Sequence, residues 1–462
     1  MAELSPDGER GEMGKQRQTS TRATSNERRA TSVAFYTLGC KVNQFDTDGL
    51  TALFRERGYQ VVDFTEPAHI YIINTCTVTK TAEQKARQLI RKVKREHPGA
   101  LVVVTGCYAQ TSPDAVTALP EVDLVIGVAG RSNLVNLIEK ELFFGLKNQV
   151  VPWKGSNRFE IFTPDFTEKT RAFLKIEDGC QSYCSYCKIP FARGPVRSLP
   201  PAQVKIEIER LLGLGYKEIV LVGIHLGDYG KDLGCDLASL LASINQEWEG
   251  KLDQEKWRLR LGSIEPADFS PSLIEVLFSS RLLCHHLHIP LQSGSKSVLS
   301  RMNRKYSPDD YAGLVSMLRR GMPRLGLTTD LMVGFPGETE QEFEETLKFL
   351  QAVDFSRIHI FPYSKREGTK AARMEGHLPR KIKEQRVQRT ETIAEELAKQ
   401  FRLQFSGKTV EVLVEQMNPG GYWEGFSREY LRVQVKGNFE PNTLLQAVVV
   451  SNKVEPLTGE VI

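Results

Sequence analysis

Nowhere in the 462 residues does an apolar run approach the roughly 20 residues needed to span a bilayer, so no transmembrane helix organises this chain and no membrane partner is expected. Charge of one sign is not in excess either. The 61 Lys and Arg against 57 Asp and Glu leave a net +4, so bulk charge demands no nucleic-acid partner and only local clustering of basic residues bears on one. Residues 1–31, rich in Ser, Thr, Arg, Glu and Gly, lack the apolar stretch of a secretory signal, and Glu3, Asp7, Glu9, Glu12 and Glu27 make them too acidic for a mitochondrial transit peptide. They read as a disordered tail, with Arg28 and Arg29 its candidates for touching RNA phosphates. Cysteine is too sparse for a disulfide scaffold: eight residues, several in ligand-like positions, argue for metal chemistry in a reducing, cytoplasmic setting. What remains is an ordinary globular balance, 40% hydrophobic and 26% charged, over a length that suits about three domains of about 150 residues each.

The densest chemistry lies in RAFLKIEDGCQSYCSYCKIP, where an apolar strand ends in glycine and Cys180, Cys184 and Cys187 follow as CxxxCxxC. Three soft thiolates on one short loop can hold three irons of a four-iron, four-sulfur cube and leave the fourth open to an exogenous ligand. A zinc knuckle or a closed structural cluster is the alternative. Zinc motifs usually pair this spacing with a second CxxC or HxxxH, and none follows within about thirty residues.

Upstream, VAFYTLGC, HIYIINTC and ALVVVTGC are short strand-like runs ending at Cys40, Cys76 and Cys107, with helical patterns between them. This βαβαβ order predicts a parallel sheet whose strand ends collect ligands, so the three cysteines can converge on a second cluster. Each cysteine alone could equally be a buried strand-end thiol. Asn43 and Asn74 flank these loops and are expected as caps, with bonds to cluster sulfurs or to the loop backbone as the alternative, and the basic helix from Lys80 to His97 reads mainly as a solvated face.

Downstream of a linker through Trp153, Pro164 and Asp165, the runs RAFLKIE, EIVLVG, RLRLGSI, HHLHIPLQ, LTTDLMVGF and RIHIFPY alternate with helical segments. Six βα units make an open, partial barrel with functional residues at the carboxyl ends of its strands. Those ends carry GIHLGDYG with Gly223, His225, Asp228 and Tyr229, then Glu265, then Gln292 and Ser293 in PLQSGS, then Gly334 in GFPGET. His285, His286 and His288 are expected as wall residues, and Cys235 and Cys284 as ordinary thiols, because none has a partner at useful spacing.

The cysteine loop, including Tyr186, resembles that of the radical S-adenosylmethionine enzymes. TLGCKVNQFDTDGL, INTCTVTKTAEQKARQ and VTGCYAQ with EDGCQSYCSYCKIPFARG resemble the methylthiotransferase branch, from about Val33 to the C-terminus. TLGCKVNQ with GIHLGDYG looks most like the enzymes that act on threonylcarbamoyladenosine in transfer RNA; isopentenyladenosine enzymes read closer to TFGCQMN. The resemblance implies two [4Fe-4S] clusters, on Cys40, Cys76 and Cys107 and on Cys180, Cys184 and Cys187, and S-adenosylmethionine as both methyl donor and radical source. It also implies cofactor contacts from Tyr186, Gly223, His225, Glu265, Gln292, Ser293 and Gly334. A deoxyadenosyl radical would take hydrogen from C2 of the adenine, and a methylthio group would replace it.

RNA contacts are expected from Arg193 and Arg197 in ARGPVRSLPP, and from Lys365 and Arg366 in FPYSKREGTKAARM. Family members usually carry another arginine where Leu199 stands, which leaves a third contact open. After a long charged helix, TVEVLVEQ, GYWEGFSREYLRVQVKG and LLQAVVVSNKV predict a small antiparallel barrel that resembles the TRAM module. Trp423, Arg428 and Arg432 are its expected RNA contacts, with core packing as the competing role.

Together these readings predict an α/β protein: tail 1–31, Rossmann-like domain 32–150, partial (βα)6 barrel and exit helix 166–400, and small β-barrel 404–462. The expected partners are the tRNA anticodon loop and an electron donor such as flavodoxin or ferredoxin, with the sulfur source unspecified and the chain a monomer. The competing functions are methylthiolation of isopentenyladenosine or of a ribosomal protein, and a non-catalytic iron-sulfur protein that binds RNA and senses redox state.

Overall fold

Short β-branched runs separated by amphipathic helices leave each strand to find its neighbour through a crossover, and parallel sheets result. A computed structural model describes residues 31–144, 147–151, 158–164, 170–251, 256–452 and 454–462. The tail before Thr31, with Arg28 and Arg29, and Trp153 and Asp165 of the expected linker lie outside the described residues. Strands β1 (Ser32–Thr37), β2 (Gln60–Val62), β3 (Ile70–Thr75), β4 (Leu101–Gly106) and β5 (Leu124–Val125) form a parallel sheet of order β2-β1-β3-β4-β5. The edge strands β2 and β5 escape the sequence reading because 3 and 2 residues are too few to show an alternation. Central β3 is buried at every position, as a strand covered on both faces requires.

The second domain begins with β6 (Arg171–Lys175), followed by a two-residue ribbon, β7 (Glu177–Asp178) against β8 (Arg197–Ser198), that brackets the cysteine loop. Then come β9 (Glu218–Val222), β10 (Arg258–Leu261), β11 (His286–His288), β12 (Gly326–Val333) and β13 (Arg357–Pro362). The pairings β6-β9-β10 and β11-β12-β13 are all parallel, and single bridges at Leu259–Leu283 and Ser263–His288 join the two halves into the six-stranded partial barrel. Side chains alternate across its wall. Ala172, Leu174, Ile219 and Leu221 join the large core under the helices, whereas Phe173, Val220 and Val222 face the bore, where Val42 of the first domain packs on them. The helix Lys41–Glu56 thus starts at the barrel's mouth.

The helix Arg380–Leu403 leads to a closed barrel of order β14-β15-β16-β18-β17: β14 (Thr409–Met417), β15 (Trp423–Ser427), β16 (Arg432–Val435), β17 (Leu444–Ser451) and β18 (Leu457–Val461). Four of its five seams are antiparallel and β16–β18 is parallel. It docks on the amino-terminal ends of the large barrel's strands. Glu218 pairs with Arg258 and Arg260, whose guanidinium groups donate to the carbonyls of Phe426 (2.8 Å) and Ser427 (3.0 Å). Tyr430 stacks between His286 and Phe426, with ring centroids 4.5 and 4.7 Å away. The small barrel is therefore a plug under the large one, at the end opposite the cysteine loop.

Candidate active site

The three strand ends of the first domain do converge. Gly106 adopts φ +94°, and a Cβ there would lie 2.3 Å from Asn74 Oδ1, so the turn that delivers Cys107 admits only glycine. Asn43 donates from Nδ2 to the carbonyls of Leu38 (2.7 Å) and Thr75 (3.2 Å), and Asn74 donates to the carbonyl of Asn43 (2.9 Å). These asparagines tie the loops of Cys40, Cys76 and Cys107 to one another, a different role from the helix caps expected. Cys76 and Cys107 are buried and Cys40 is exposed. Burial pushes the Cys76 thiol up to about 12, with Cys107 and Cys40 close enough to add like-charge repulsion. Three thiols gathered at adjoining strand ends suit a cation-rich centre that takes them as thiolates.

In the barrel, Cys180, Cys184 and Cys187 lie on a tight loop in which the Cys187 N–H donates to the Cys184 carbonyl (3.0 Å). Burial, then Cys184, pushes the Cys187 thiol up to about 12. Cys180 behaves oppositely. Burial opposes its ionisation, but His225 Nδ1 at 3.8 Å and Ser182 outweigh it and lower the thiol's pKa. His225 is itself clamped by Asp228 (3.1 Å) and Asp268 (2.6 Å); burial works against its charge, but these carboxylates hold the imidazolium far above the ordinary histidine range. These three side chains lie close together, and the two carboxylates favour the protonated imidazole over the neutral form that a metal ligand needs.

A cavity of about 470 Å³ opens beside this loop, lined by Ser182, Cys184, His225, Asp228, Glu265, Asp268, Arg304 and Lys305 among others. Arg304 donates to Cys184 Sγ (3.3 Å) and forms an ion pair with Glu265, whose carboxyl burial raises despite Arg304 and His225. The cavity is thus lined by both carboxylates and cations, which fits the ammonium and carboxylate of an amino acid, and the volume suits a small-molecule ligand. Gly223 is required behind it: a Cβ would sit 2.6 Å from Glu177 Oε2, which accepts the His225 N–H at 2.7 Å.

Between the two cysteine sites runs a buried charge network. Arg193 ends the short helix Ile189–Arg193 that follows Cys187, and its guanidinium donates to Asp46 (3.0 Å), Asp178 (3.0 Å) and Asn43, and through Nε to Cys107 Sγ (3.4 Å). Arg131 and Lys175 also contact Asp46, at 2.8 and 2.6 Å. Burial opposes ionisation of Asp46, but Arg131, Lys175 and Arg193 outweigh it and hold the carboxyl well below its ordinary range. One side chain from the barrel's cysteine loop thus touches a thiol of the first-domain triad.

Residues 32–127 match the model of Uncharacterized protein family UPF0004, and residues 174–350 match that of the Radical SAM superfamily. The chain is 42% identical to the threonylcarbamoyladenosine tRNA methylthiotransferase MtaB of Bacillus subtilis, over 88% of this chain and 90% of that protein. It belongs to the radical S-adenosylmethionine methylthiotransferases. MtaB of Thermotoga maritima is 37% identical over 93% of this chain and 99% of its own length. A tRNA-2-methylthio-N(6)-dimethylallyladenosine synthase of Bacillus licheniformis is 35% identical over 92% and 85%. Among solved structures, the radical S-adenosylmethionine methyltransferase TsrM of Kitasatospora setae superposes with a TM-score of 0.55 over 72% of this chain and 74% of that one; at 17% identity this likeness shows the fold alone.

The methylthiotransferase places several sequence-expected contacts elsewhere. Arg193 and Arg197 are buried in the charge network, Arg197 donating to the carbonyls of Arg193 (2.9 Å) and Pro195 (3.0 Å), so neither is exposed. Arg366 is buried against Glu83 and Thr77 of the first domain, where it joins two domains. Trp423 packs inside the small barrel, and Arg428 donates to the carbonyls of Arg281 (2.6 Å) and Leu283 (2.7 Å) under the large one. Lys365 is exposed, and so is Arg432, which pairs with Glu424. Leu199 is core, so the usual arginine has no RNA surface to serve there.

Among the cofactor expectations, Cys184, His225 and Glu265 line the cavity. Tyr186 instead packs edge-on to Phe335, with centroids 6.5 Å apart. Ser293 is fully buried and lies 3.3 Å from the Thr346 hydroxyl, and the Gly334 N–H donates to Glu338 (2.6 Å). Gln292, at φ 63°, is held by backbone bonds to Asp330 and Met332 and lies outside the cavity lining. Sequence reasoning missed Arg304, Asp268 and Tyr306. They stand in short connecting segments with no periodicity, and only their folding onto the cavity beside Cys184 and His225 marks them.

Proposed function

We propose that this chain converts threonylcarbamoyladenosine in the tRNA anticodon loop to its 2-methylthio derivative, with one [4Fe-4S] cluster on Cys40, Cys76 and Cys107 and another on Cys180, Cys184 and Cys187. The observation that carries the reading is Arg193, which reaches from the loop of one thiol triad to a thiol of the other. When bound, the clusters and S-adenosylmethionine supply the electron, the radical and the sulfur that this reaction needs. The chain's own residues bind and orient. Asp228, Asp268 and Glu265 offer acceptors to an amino acid's ammonium, Arg304 and Lys305 offer donors to its carboxylate, and His225 keeps the two aspartates ordered. The plug under the barrel seals the end away from the cysteine loop, so substrate RNA approaches from the side where Lys365 is exposed. An electron donor such as flavodoxin or ferredoxin, a cytoplasmic setting and a monomeric state complete the proposal.

The test is nucleoside mass spectrometry of tRNA from cells lacking the protein. Loss of 2-methylthio-threonylcarbamoyladenosine, restored by the wild type and not by Cys184→Ala, supports the reading. Loss of the methylthiolated dimethylallyl nucleoside instead would move the enzyme to the second group of relatives. For the cluster count, anaerobic protein should hold about eight irons per chain, and about four after replacement of the barrel cysteines.

A further inference from the structure

We propose that Lys41 selects the anionic nucleoside, its ammonium pairing inside the barrel's bore with the carboxylate of the threonylcarbamoyl group. This rests on the function proposed above and names the contact that gives it its substrate.

Lys41 is the first residue of the helix Lys41–Glu56 and directly follows the cluster-site thiol Cys40. Its neighbour Val42 packs on the bore-facing Val220 and Val222, and Lys41 Nζ lies 5.9 Å from the ring centroid of bore-facing Phe173. The residue is solvent-accessible, yet among the described residues its ammonium has no hydrogen bond and no ion pair. The cations around it are all satisfied: Arg171 by Glu415 (2.6 Å), Arg260 by Glu218 (2.7 Å) and Lys175 by Asp46 (2.6 Å).

The charges that face Lys41 do not supply a partner. Arg171 comes from β6, Arg260 from β10 and Tyr430 from the plug; Glu218 on β9 is already shared by Arg258 and Arg260. Across the bore stand His286 and His359, and Asp330, the acid on that wall, lies 3.4 Å from His288. A cation that lacks a hydrogen-bonded anion gains a charge-assisted hydrogen bond when a carboxylate arrives.

The substrate's chemistry supplies that anion on the correct edge. In adenine, C2 and C6 both adjoin N1, so a substituent on N6 hangs beside the carbon to be thiolated. A base whose C2 faces the Cys40 loop therefore brings its N6 substituent close to the residue that follows Cys40. A threonylcarbamoyl group ends in a carboxylate there, whereas a dimethylallyl group ends in methyls that would leave the ammonium unpaired.

The test uses reconstituted full-length holoprotein under anaerobic conditions and anticodon stem-loops carrying threonylcarbamoyladenosine, its carboxyl methyl ester, or dimethylallyladenosine. Fluorescence anisotropy reads affinity, and turnover separates KM from kcat. Wild type should prefer the acid to the ester by roughly 10- to 100-fold, the scale of one charge-assisted hydrogen bond. Lys41→Gln should abolish that preference through KM, and Lys41→Arg should retain it. Iron content on the same samples reports whether the neighbouring cluster survives, and the acid-against-ester comparison on the wild type needs no variant. An acid preference that persists in Lys41→Gln overturns the role of Lys41 while the proposed substrate stands. Equal binding of acid and ester by the wild type overturns it as well, and only failure to thiolate the acid stem-loop at all overturns the substrate assignment itself.

Discussion

Replacing Arg193 with methionine removes a guanidinium that donates to Asp46 and Asp178, both at 3.0 Å, to Asn43, and to Cys107 Sγ at 3.4 Å, all of it out of contact with water. Removing one partner of a buried ion pair costs about 3–5 kcal/mol, because the other is left buried and uncompensated. Here Asp46 keeps Arg131 and Lys175, and Asp178 keeps Lys175 at 3.3 Å and Arg197 at 3.6 Å, which places the loss at the lower end. About 3 kcal/mol is roughly a hundredfold in the folded-to-unfolded ratio, and a large share of a typical total. Anaerobic urea unfolding should show the midpoint falling at unchanged slope. Asp46→Asn should cost a comparable amount, and the double variant less than the sum, because the two side chains share one network. The acid held below its ordinary range contributes stability that is complete above the unfolded aspartate value near 3.9 and lost only as pH falls through the depressed folded value. The difference between wild type and Asp46→Asn should therefore stay level from about pH 5 to 8. A loss under about 1 kcal/mol for Arg193→Met, together with weakened tRNA binding, would falsify the interface role and restore Arg193 as an RNA contact.

Burial raises the carboxyl of Glu177 well above its usual value, so the folded chain keeps a proton that the unfolded chain releases; its cost to stability grows as pH climbs above about 4.3. Glu177→Gln should accordingly gain on the wild type as pH rises, and the carboxylic acid band in the infrared difference spectrum should vanish; a flat pH dependence would contradict this. Trp423→Ala, in the small barrel's core, should cost about 3–5 kcal/mol in unfolding, whereas Arg432→Ala should cost under about 1 and show itself only as weaker, less salt-dependent RNA binding. Gly106→Ala should strip iron from the first-domain site and spare the barrel site, read by iron analysis in a background lacking the barrel cysteines; full retention would mean the turn can relax.

Much of the site was legible because cysteines advertise themselves. CxxxCxxC is compact in sequence, and three strands that each end in a cysteine need only a parallel sheet to meet. The six βα units were likewise readable from alternating periods. The RNA contacts were read from composition, and composition does not distinguish an arginine facing water from one facing a buried aspartate. Arg193, Arg197, Arg366 and Arg428 all proved to be holding domains or loops together.

The local signals of the chain thus determined the two cysteine triads, the succession of parallel sheet, partial barrel and small barrel, and the turn glycines beside the thiols, because each is set by a few neighbouring residues. Only the tertiary structure decided that the small barrel closes the bottom of the large one, that Arg193 spans the two cysteine sites, and that Lys41 enters the barrel's bore with no ion pair among the described residues. Those outcomes depend on which buried charges find one another across more than a hundred residues of chain, a competition between desolvation and pairing that no sequence window contains.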